Sequence, residues 1–207
     1  MEELSKVYLY RMTHLENIPH ILEYGITHIS SPNNNPNYIA IGDGSLITNR
    51  SHYMLPNGIR LGTYIPFYFG VRMPMLFVIQ QGFNGVKVTS ADNIVYCVTS
   101  VSEIVNHNLE FIFSNGHAVD DLTEFYDMDR ISEIKRLVDM KAAMAKYWKD
   151  EHDLDLKRRK EAEFLIRNDL PINAIRGYIV YNKTAKEKLI AFGIEEKLIV
   201  IKPNYYF

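Results

Sequence analysis

The chain has 207 residues, 47% of them hydrophobic, with 23 basic against 25 acidic side chains and a single cysteine. That length and apolar share suffice for one packed domain over residues 1–207 without disulfides, and Cys97 alone cannot form an internal one, so a reducing, cytoplasmic setting is expected. A formal net charge of −2 excludes a uniformly basic polyanion binder, so any grip on nucleic acid must come from a local patch.

The opening Met1-Glu-Glu-Leu-Ser5 lacks the basic-then-apolar order of a signal peptide, and no later stretch has the length and apolarity of a membrane span. Val7–Tyr10 is expected to form a first strand that ends at Arg11–His14. Thr13 would then cap a helix with Glu16 at capping-box spacing, with Ile18, Ile21 and Leu22 inward and Gly25 closing it. Residues 30–63 are loop-rich: Ser30–Asn37 and Gly42-Asp-Gly44 are turn sequences, and Leu46–Arg50 leaves room for only a brief helix. So long a weakly regular stretch reads either as a lid or substrate-positioning loop, or as a surface insertion.

Ile65–Phe69 is expected to be extended, at a sheet edge or strand start because of Pro66. Met75–Ile79 and Ile94–Val98 read as buried strands. Ser100 should cap a short helix over Val101–Asn106, with Glu103 three residues on. Phe111–Phe113 is a further strand, and 120–125 and 129–148 read as chiefly helical. Gly177–Tyr181 predicts a strand, Lys183–Phe192 a helix, and Leu198–Ile201 a last strand before an exposed tail. Short strands and blocks of helix without regular alternation make an α+β fold.

The densest chemistry lies at Lys157-Arg-Arg-Lys160, followed by Glu161-Ala-Glu163 and an apolar run. If the chain is extended on an edge strand there, Glu161 and Glu163 share a face. Two carboxylates beside four cations suit a site that handles a cationic centre and a polyanionic substrate. A helix over 154–167 is the alternative, pairing Arg159 with Glu163, but it turns Phe164 away from the apolar face. There is no dinucleotide-binding glycine pattern or phosphate loop. Cys97 sits in an apolar run and reads as structural, and seven scattered histidines leave no metal site expected. The polar residues in unusual company are His14 at a strand–helix handover, Arg50, Arg72, His117 at a strand end, and Glu163. A guanidinium fork such as that of Arg50 suits a phosphate.

The blocks His14-Leu-Glu-Asn-Ile-Pro-His-Ile-Leu-Glu-Tyr-Gly25, Pro66-Phe-Tyr-Phe-Gly-Val-Arg-Met-Pro-Met75, Gly116-His-Ala118 and Arg158-Arg-Lys-Glu-Ala-Glu-Phe-Leu165 occur here in order. Together they resemble the DarT family, the toxin half of DarT–DarG toxin–antitoxin pairs, over nearly the whole chain. The resemblance implies an ADP-ribosyltransferase-like fold with short mixed strands around a central cleft. It also implies NAD as substrate without a metal, and transfer of ADP-ribose to a base of single-stranded DNA, thymidine favoured over guanosine. A DarG-like macrodomain antitoxin would be the partner. The family's catalytic glutamate falls on Glu163, its essential arginine on Arg50 and its histidine on His117. Thr13, His14, Asn17 and Gly25 would lie against NAD, with Arg50, Tyr68 and Arg72 also turned to it.

Nicotinamide departure builds positive charge on the ribose, which a carboxylate stabilises, and Glu163 or His117 would take the proton from the attacking base. Arg50 would hold an NAD phosphate or orient the nicotinamide ribose. Lys157, Arg158, Arg159 and Lys160, with Asn35 in the loop-rich region, are candidate DNA contacts. Phe67, Tyr68 and Phe69 read as core or as a stacking platform for a base. Readings from other classes are a non-catalytic single-strand binding module, an interaction protein, and an ADP-ribosyltransferase directed at RNA or protein.

Overall fold

A computed structural model describes residues 2–207. Its strands are β1 (Tyr8–His14), β2 (Tyr64–Tyr68), β3 (Ile94–Ser100), β4 (Phe111–Ser114), β5 (Phe125–Tyr126), β6 (Glu163–Arg167), β7 (Gly177–Val180) and β8 (Ile199–Ile201). They form one mixed sheet in the order β5-β4-β6-β2-β1-β3-β7-β8, antiparallel throughout except between β7 and β8. The helices are α1 (Glu2–Ser5), α2 (Ile18–Tyr24), α3 (Gly44–His52), α4 (Pro74–Gln81), α5 (Val101–Asn106), α6 (Ile134–Leu137), α7 (Met140–Ala143), α8 (Leu156–Lys160) and α9 (Lys183–Ala191).

Because side chains alternate along a strand, the two faces of the sheet have different contents. One face carries Leu9, Phe67, Val95, Cys97, Phe113 and Phe164 into a continuous core, closed by residues of α2, α5 and α9. The opposite face holds two separate apolar clusters. Tyr10, Leu76, Ile79, Tyr96 and Tyr206 form one, and Leu55, Leu61, Tyr64, Ile112 and Leu165 the other. Tyr68 and Glu163, directly opposite each other on β2 and β6 and in line with Tyr10 on β1, fall at the join between them. A polar slot between two apolar clusters is therefore built into the strand registers.

Several expectations are corrected by this frame. β6 is not an edge strand: β4 and β2 flank it, and Phe164, Leu165 and Ile166 are fully buried. β2 is interior as well. Pro66 is accommodated because β1 and β2 are in register only at Tyr10 and Tyr68, and the Arg11 guanidinium donates to the Pro66 carbonyl at 2.9 Å. β1 runs on to His14, held by β3 along its whole length. The following helix therefore starts later, and His14, not Thr13, caps its first turn by accepting from the Glu16 N–H at 3.2 Å.

The apolar run at Met75–Ile79 lies in helix α4, entered through Pro74 and closed by Gly82 at φ 72°; such a run does not distinguish strand from buried helix. Residues 120–148 are not two helices. Side chains of Asp127 and Asp139 cap separate short turns and break the run into 3-10 turns and two four-residue helices, α6 and α7. The tail is not exposed throughout, since Tyr206 is buried and donates to the carbonyls of Ile94 and Ile179.

Residues 27–43 hold no helix or strand, yet they are tied down. The Asp169 carboxylate accepts from the His28 N–H at 2.7 Å and the Ser31 hydroxyl at 2.6 Å. The Asn17 amide exchanges two hydrogen bonds of 2.9 Å with the Ile39 main chain.

The end of β2 packs tightly on α7, because a Cβ at Gly70 would stand 1.9 Å from the Ala143 carbonyl oxygen. Gly70→Ala is expected to push the two apart and to cost about 2 kcal/mol, seen as a lowered midpoint of chemical denaturation. An unchanged midpoint would contradict this packing.

Candidate active site

Glu163 opens β6 two residues beyond the cap of α8. Its N–H donates to the Ser114 hydroxyl at 3.0 Å, and that hydroxyl donates to the Gly116 carbonyl at 2.6 Å, which latches the start of β6 to the end of β4. The Glu163 side chain is completely buried. Arg50, in the last turn of α3, grips it with both prongs: Nη1 donates to Oε1 at 2.8 Å and Nη2 to Oε2 at 2.7 Å. The Ala118 N–H donates to Oε1 at 3.0 Å, and His117 Nδ1 stands 3.3 Å from the same oxygen. Burial by itself would raise the Glu163 pKa, but Arg50 first and then His117 outweigh it and hold the carboxyl at about 2.

The neighbouring groups respond in turn. Burial pulls the His117 pKa down, but its hydrogen bond to Glu163 and the charges of Glu163 and Glu161 overcome this, leaving it raised. Burial, reinforced by the Glu163 charge, raises Tyr68 and keeps the phenol protonated. Glu161 does not share the strand face of Glu163. It caps α8, and burial, aided by the Glu163 charge, raises its carboxyl. The two glutamates are thus pushed apart: Glu163 is firmly ionised while Glu161 is drawn toward its neutral form.

Glu163, Arg50, His117 and Tyr68 come together; the other expected residues do not. His14 lies four residues along β1 from Tyr10, roughly 13 Å away at the rise of a strand. Burial lowers its pKa. Thr13 is buried and accepts from the Asn17 amide at 2.9 Å. The polar atoms of Asn17 are turned to Thr13 and Ile39. Gly25 serves a close approach at φ 79°, where a Cβ would stand 2.1 Å from the Leu170 oxygen. Arg72 adopts φ 53° and turns to the tail, donating to the Tyr206 carbonyl and lying 3.9 Å over the Phe207 ring. Asn35 closes its own turn by accepting from the Asn37 N–H at 2.9 Å.

The cation run is likewise no single outward face. Arg158 pairs with Asp155 and donates to Asn115 and Thr123. Arg159 pairs with Asp139, Asp153 and Asp155. Lys160 is fully buried, and its Nζ donates to three carbonyls, those of Val71, Ala143 and Ala145. Only Lys157 of the four is exposed.

Phe67 and Phe69 are core, and Cys97 is buried with its thiol pushed up to about 12. Among the described residues no cluster of three or more His, Cys, Asp or Glu side chains is gathered to hold a metal. The Ala118 N–H and the Ser114 latch had no signal in the sequence, because one is main chain and the other a common residue at a strand end. A groove of about 670 Å³, lined by Pro56, Asn57, Ile112, Phe125, Tyr126 and Arg130 among others, lies on the β4–β5 side and does not include Glu163. The candidate site is the ionic cluster around Glu163 and not that groove.

The two titrating partners, His117 and Glu163, set opposite pH limbs. A raised imidazole pKa stabilises the fold fully below its ordinary value of about 6.5, and that contribution is lost as pH rises through the folded value. The lowered Glu163 carboxyl contributes above the ordinary carboxylate range and loses its contribution only as pH falls toward about 2. His117→Gln should therefore flatten the loss of thermal stability as pH rises above about 6.5. Parallel wild-type and variant midpoints across that range would contradict the assignment.

Comparison with known proteins places this geometry. A family model described as DarT, ssDNA thymidine ADP-ribosyltransferase, matches residues 10–207. The chain is 31% identical over 210 residues to the DNA ADP-ribosyl transferase of Escherichia coli O127:H6, covering 98% of this chain and 94% of that protein. Thermus sp. 2.9 DarT in complex with NAD+ superposes with a TM-score of 0.79 at 27% identity, covering 97% of this chain and 98% of that one. The same protein in complex with ADP-ribosylated ssDNA gives 0.82 at 26% identity, covering 97% and 96%. A DNA ADP-ribosyl transferase–DNA ADP-ribosyl glycohydrolase fusion protein of Thermosipho africanus is 25% identical over 204 residues, 96% of this chain and 49% of that protein. The chain belongs to the DarT family and is an NAD-dependent ADP-ribosyltransferase of thymidine in single-stranded DNA.

Proposed function

We propose a division of roles for the reaction of this chain, the transfer of ADP-ribose from NAD to thymidine in single-stranded DNA, by which it acts as a toxin. The observation that carries the assignment is the buried, ionised Glu163 carboxylate held by the Arg50 fork at 2.8 and 2.7 Å. As the bond from ribose C1′ to nicotinamide breaks, the electron pair leaves with nicotinamide and positive charge spreads over C1′. A fixed anion in a site shielded from water stabilises that charge strongly. Arg50 keeps the anion ionised and aimed.

The thymine nitrogen then bonds to C1′ and loses its proton. A carboxyl held at about 2 is a weak base, and the raised His117 imidazole is the stronger acceptor in its neutral form. His117 is therefore assigned as the base and Glu163 as the electrostatic stabiliser. The 33% exposed side chain of His117, beside the 19% exposed Arg50, supports an approach of ribose and base from that side.

NAD is assigned to the face running from His14 past Tyr68 to Glu163, roofed in part by residues 27–43. Thr13, Asn17 and Gly25 then act on NAD through the loop and turn they hold. Arg72 supports the wall beside the tail. The chain is read as one domain, because the sheet runs without a break from β5 to β8. A macrodomain partner of the DarG type that removes the mark is supported by the Thermosipho africanus fusion of a transferase to a glycohydrolase. A cytoplasmic setting is supported by the single buried thiol at Cys97. Among the described residues no helix has the length and apolarity to cross a membrane.

The protein is tested by incubation with NAD and single-stranded oligonucleotides that contain or lack thymidine, followed by mass spectrometry of the DNA. The expected result is a gain of one ADP-ribose on thymidine-containing strands alone, lost in Glu163→Gln at unchanged circular dichroism. Full transfer by Glu163→Gln would overturn the assignment of Glu163.

A further inference from the structure

Gly62 stands where three segments meet. Its own turn, Leu61–Thr63, leads directly into β2. On one side it lies against the end of α3, where an added Cβ would meet the Ser51 Cα at 2.6 Å and the Ser51 carbonyl oxygen at 2.7 Å. Ser51 is the residue after Arg50. The Gly62 carbonyl also meets the half-buried His28, whose Nε2 stands 2.7 Å from the oxygen. A carbonyl only accepts, so Nε2 carries the proton.

The other ring nitrogen agrees with that tautomer. The Ser30 N–H donates to Nδ1 at 3.2 Å, and the Ser30 hydroxyl stands 2.7 Å from it, so Nδ1 is an acceptor. Both ring nitrogens are thereby engaged within the protein. The main chain on either side of His28 is fixed to the far end of β6. Ile26 and Leu170 exchange two main-chain hydrogen bonds of 2.9 Å, and the Asp169 carboxylate accepts from the His28 N–H at 2.7 Å. Asp169 and Leu170 follow the last residue of β6 by two and three positions, through Asn168 at φ 67°.

These contacts close a circuit. β6 begins with Glu163, and its continuation holds His28. His28 holds Gly62, Gly62 backs Ser51, and the neighbouring Arg50 returns to Glu163. Direct pairing of β2 with β6 ends at Tyr64 and Arg167, so the imidazole carries the hold past the end of the ladder to the turn that supports α3. Since most of α3 faces solvent, few other contacts oppose a drift of that helix end.

We propose that His28 is a positioning residue for the transfer: it braces the Gly62 turn against the end of β6 and so sets the Arg50 fork over Glu163. This rests on the roles given to Arg50 and Glu163 above. A displacement of roughly 1 Å in a group that serves the transition state costs up to about a hundredfold in rate, even when its cause is remote. If His28 merely held the loop at 27–43, its loss would loosen that loop and leave the fork untouched.

The test compares His28→Gln with His28→Asn in the full chain. The glutamine amide nitrogen falls near the place of Nε2 and still donates to the Gly62 carbonyl, whereas that of asparagine falls short of it. With NAD and a thymidine-containing strand, His28→Asn should lower kcat about tenfold, and His28→Gln should stay within about threefold of wild type. Carboxyl-carbon NMR should show Glu163 titrating at higher pH in His28→Asn than in wild type or His28→Gln. Long-range nitrogen–proton correlation in mildly alkaline buffer should show the wild-type His28 ring protonated at Nε2.

Equal loss in the two variants would overturn the proposal, as would a loss confined to the KM for NAD. An unmoved Glu163 midpoint in His28→Asn, or a ring protonated at Nδ1, would do the same. Failure of the functional reading looks different: wild-type protein would leave thymidine strands unmodified, while both NMR measurements would still report on the brace.

Discussion

The Glu163 carboxylate has no exposed surface, and a carboxylate in that position would ordinarily take up a proton. The Arg50 guanidinium, 113 residues away in sequence, prevents this with two parallel hydrogen bonds. Removing one partner of such an enclosed pair leaves the other charge stranded, at a cost of about 3–5 kcal/mol; the partial exposure of Arg50 puts this pair at the lower end. The rest of the site follows from that pair. The opposite face of the sheet has a join between two apolar clusters where the pair can sit. Most of α3 faces solvent, so the ion pair fixes Arg50 over β6 more than apolar burial does. Gly62 lets the helix end lie close, since a Cβ there would stand 2.6 Å from the Ser51 Cα.

The chain between β4 and β6 adds Ile134, Val138, Ala143 and Ala162 to the main core, and its basic residues at 158–160 act as staples. His117 is placed by its N–H bond to the Arg158 carbonyl at 2.9 Å, while the Arg158 guanidinium holds Asn115 and Thr123 on the same loop. The half-exposed pairs of Arg159 are each worth little in water. Lys160 matters more, because its loss would leave three enclosed carbonyls short of a donor, at about 1–3 kcal/mol for each one left unsatisfied. Burial lowers the Lys160 pKa to about 8, which still leaves it largely charged at neutral pH.

Much of this was legible in the residues. The interior strand at Ile94–Ser100, the Ser100 cap of α5 and the Gly25 turn follow local rules that the structure obeys. Glu163, Arg50 and His117 stood out by type and by family resemblance, and they meet within hydrogen-bonding reach. What misled was charge density. Four cations in a row looked like a surface for phosphate, but a cation is also the natural partner for the aspartates and free carbonyls of an irregular segment. Sequence order does not say which of these a lysine meets. The apolar run in α4 failed for a related reason, because a short apolar stretch is buried in either conformation. The exposed Lys141, Lys146 and Tyr147 lay inside the stretch 129–148 that reads as an amphipathic helix, and that helix breaks after Ala143.

The central claim is that Arg50 holds Glu163 as an anion at the floor of the site, and it is tested most directly by the titration of that one carboxyl. With glutamate labelled at the side-chain carbonyl carbon, and its signal assigned through Glu163→Gln, the chemical shift is followed by NMR from neutral pH into acid. The account predicts a midpoint near 2, moving upward when Arg50 is replaced by Lys and the fork is lost. A Glu163 signal that titrates in the ordinary carboxylate range, and does so equally in both proteins, would contradict it.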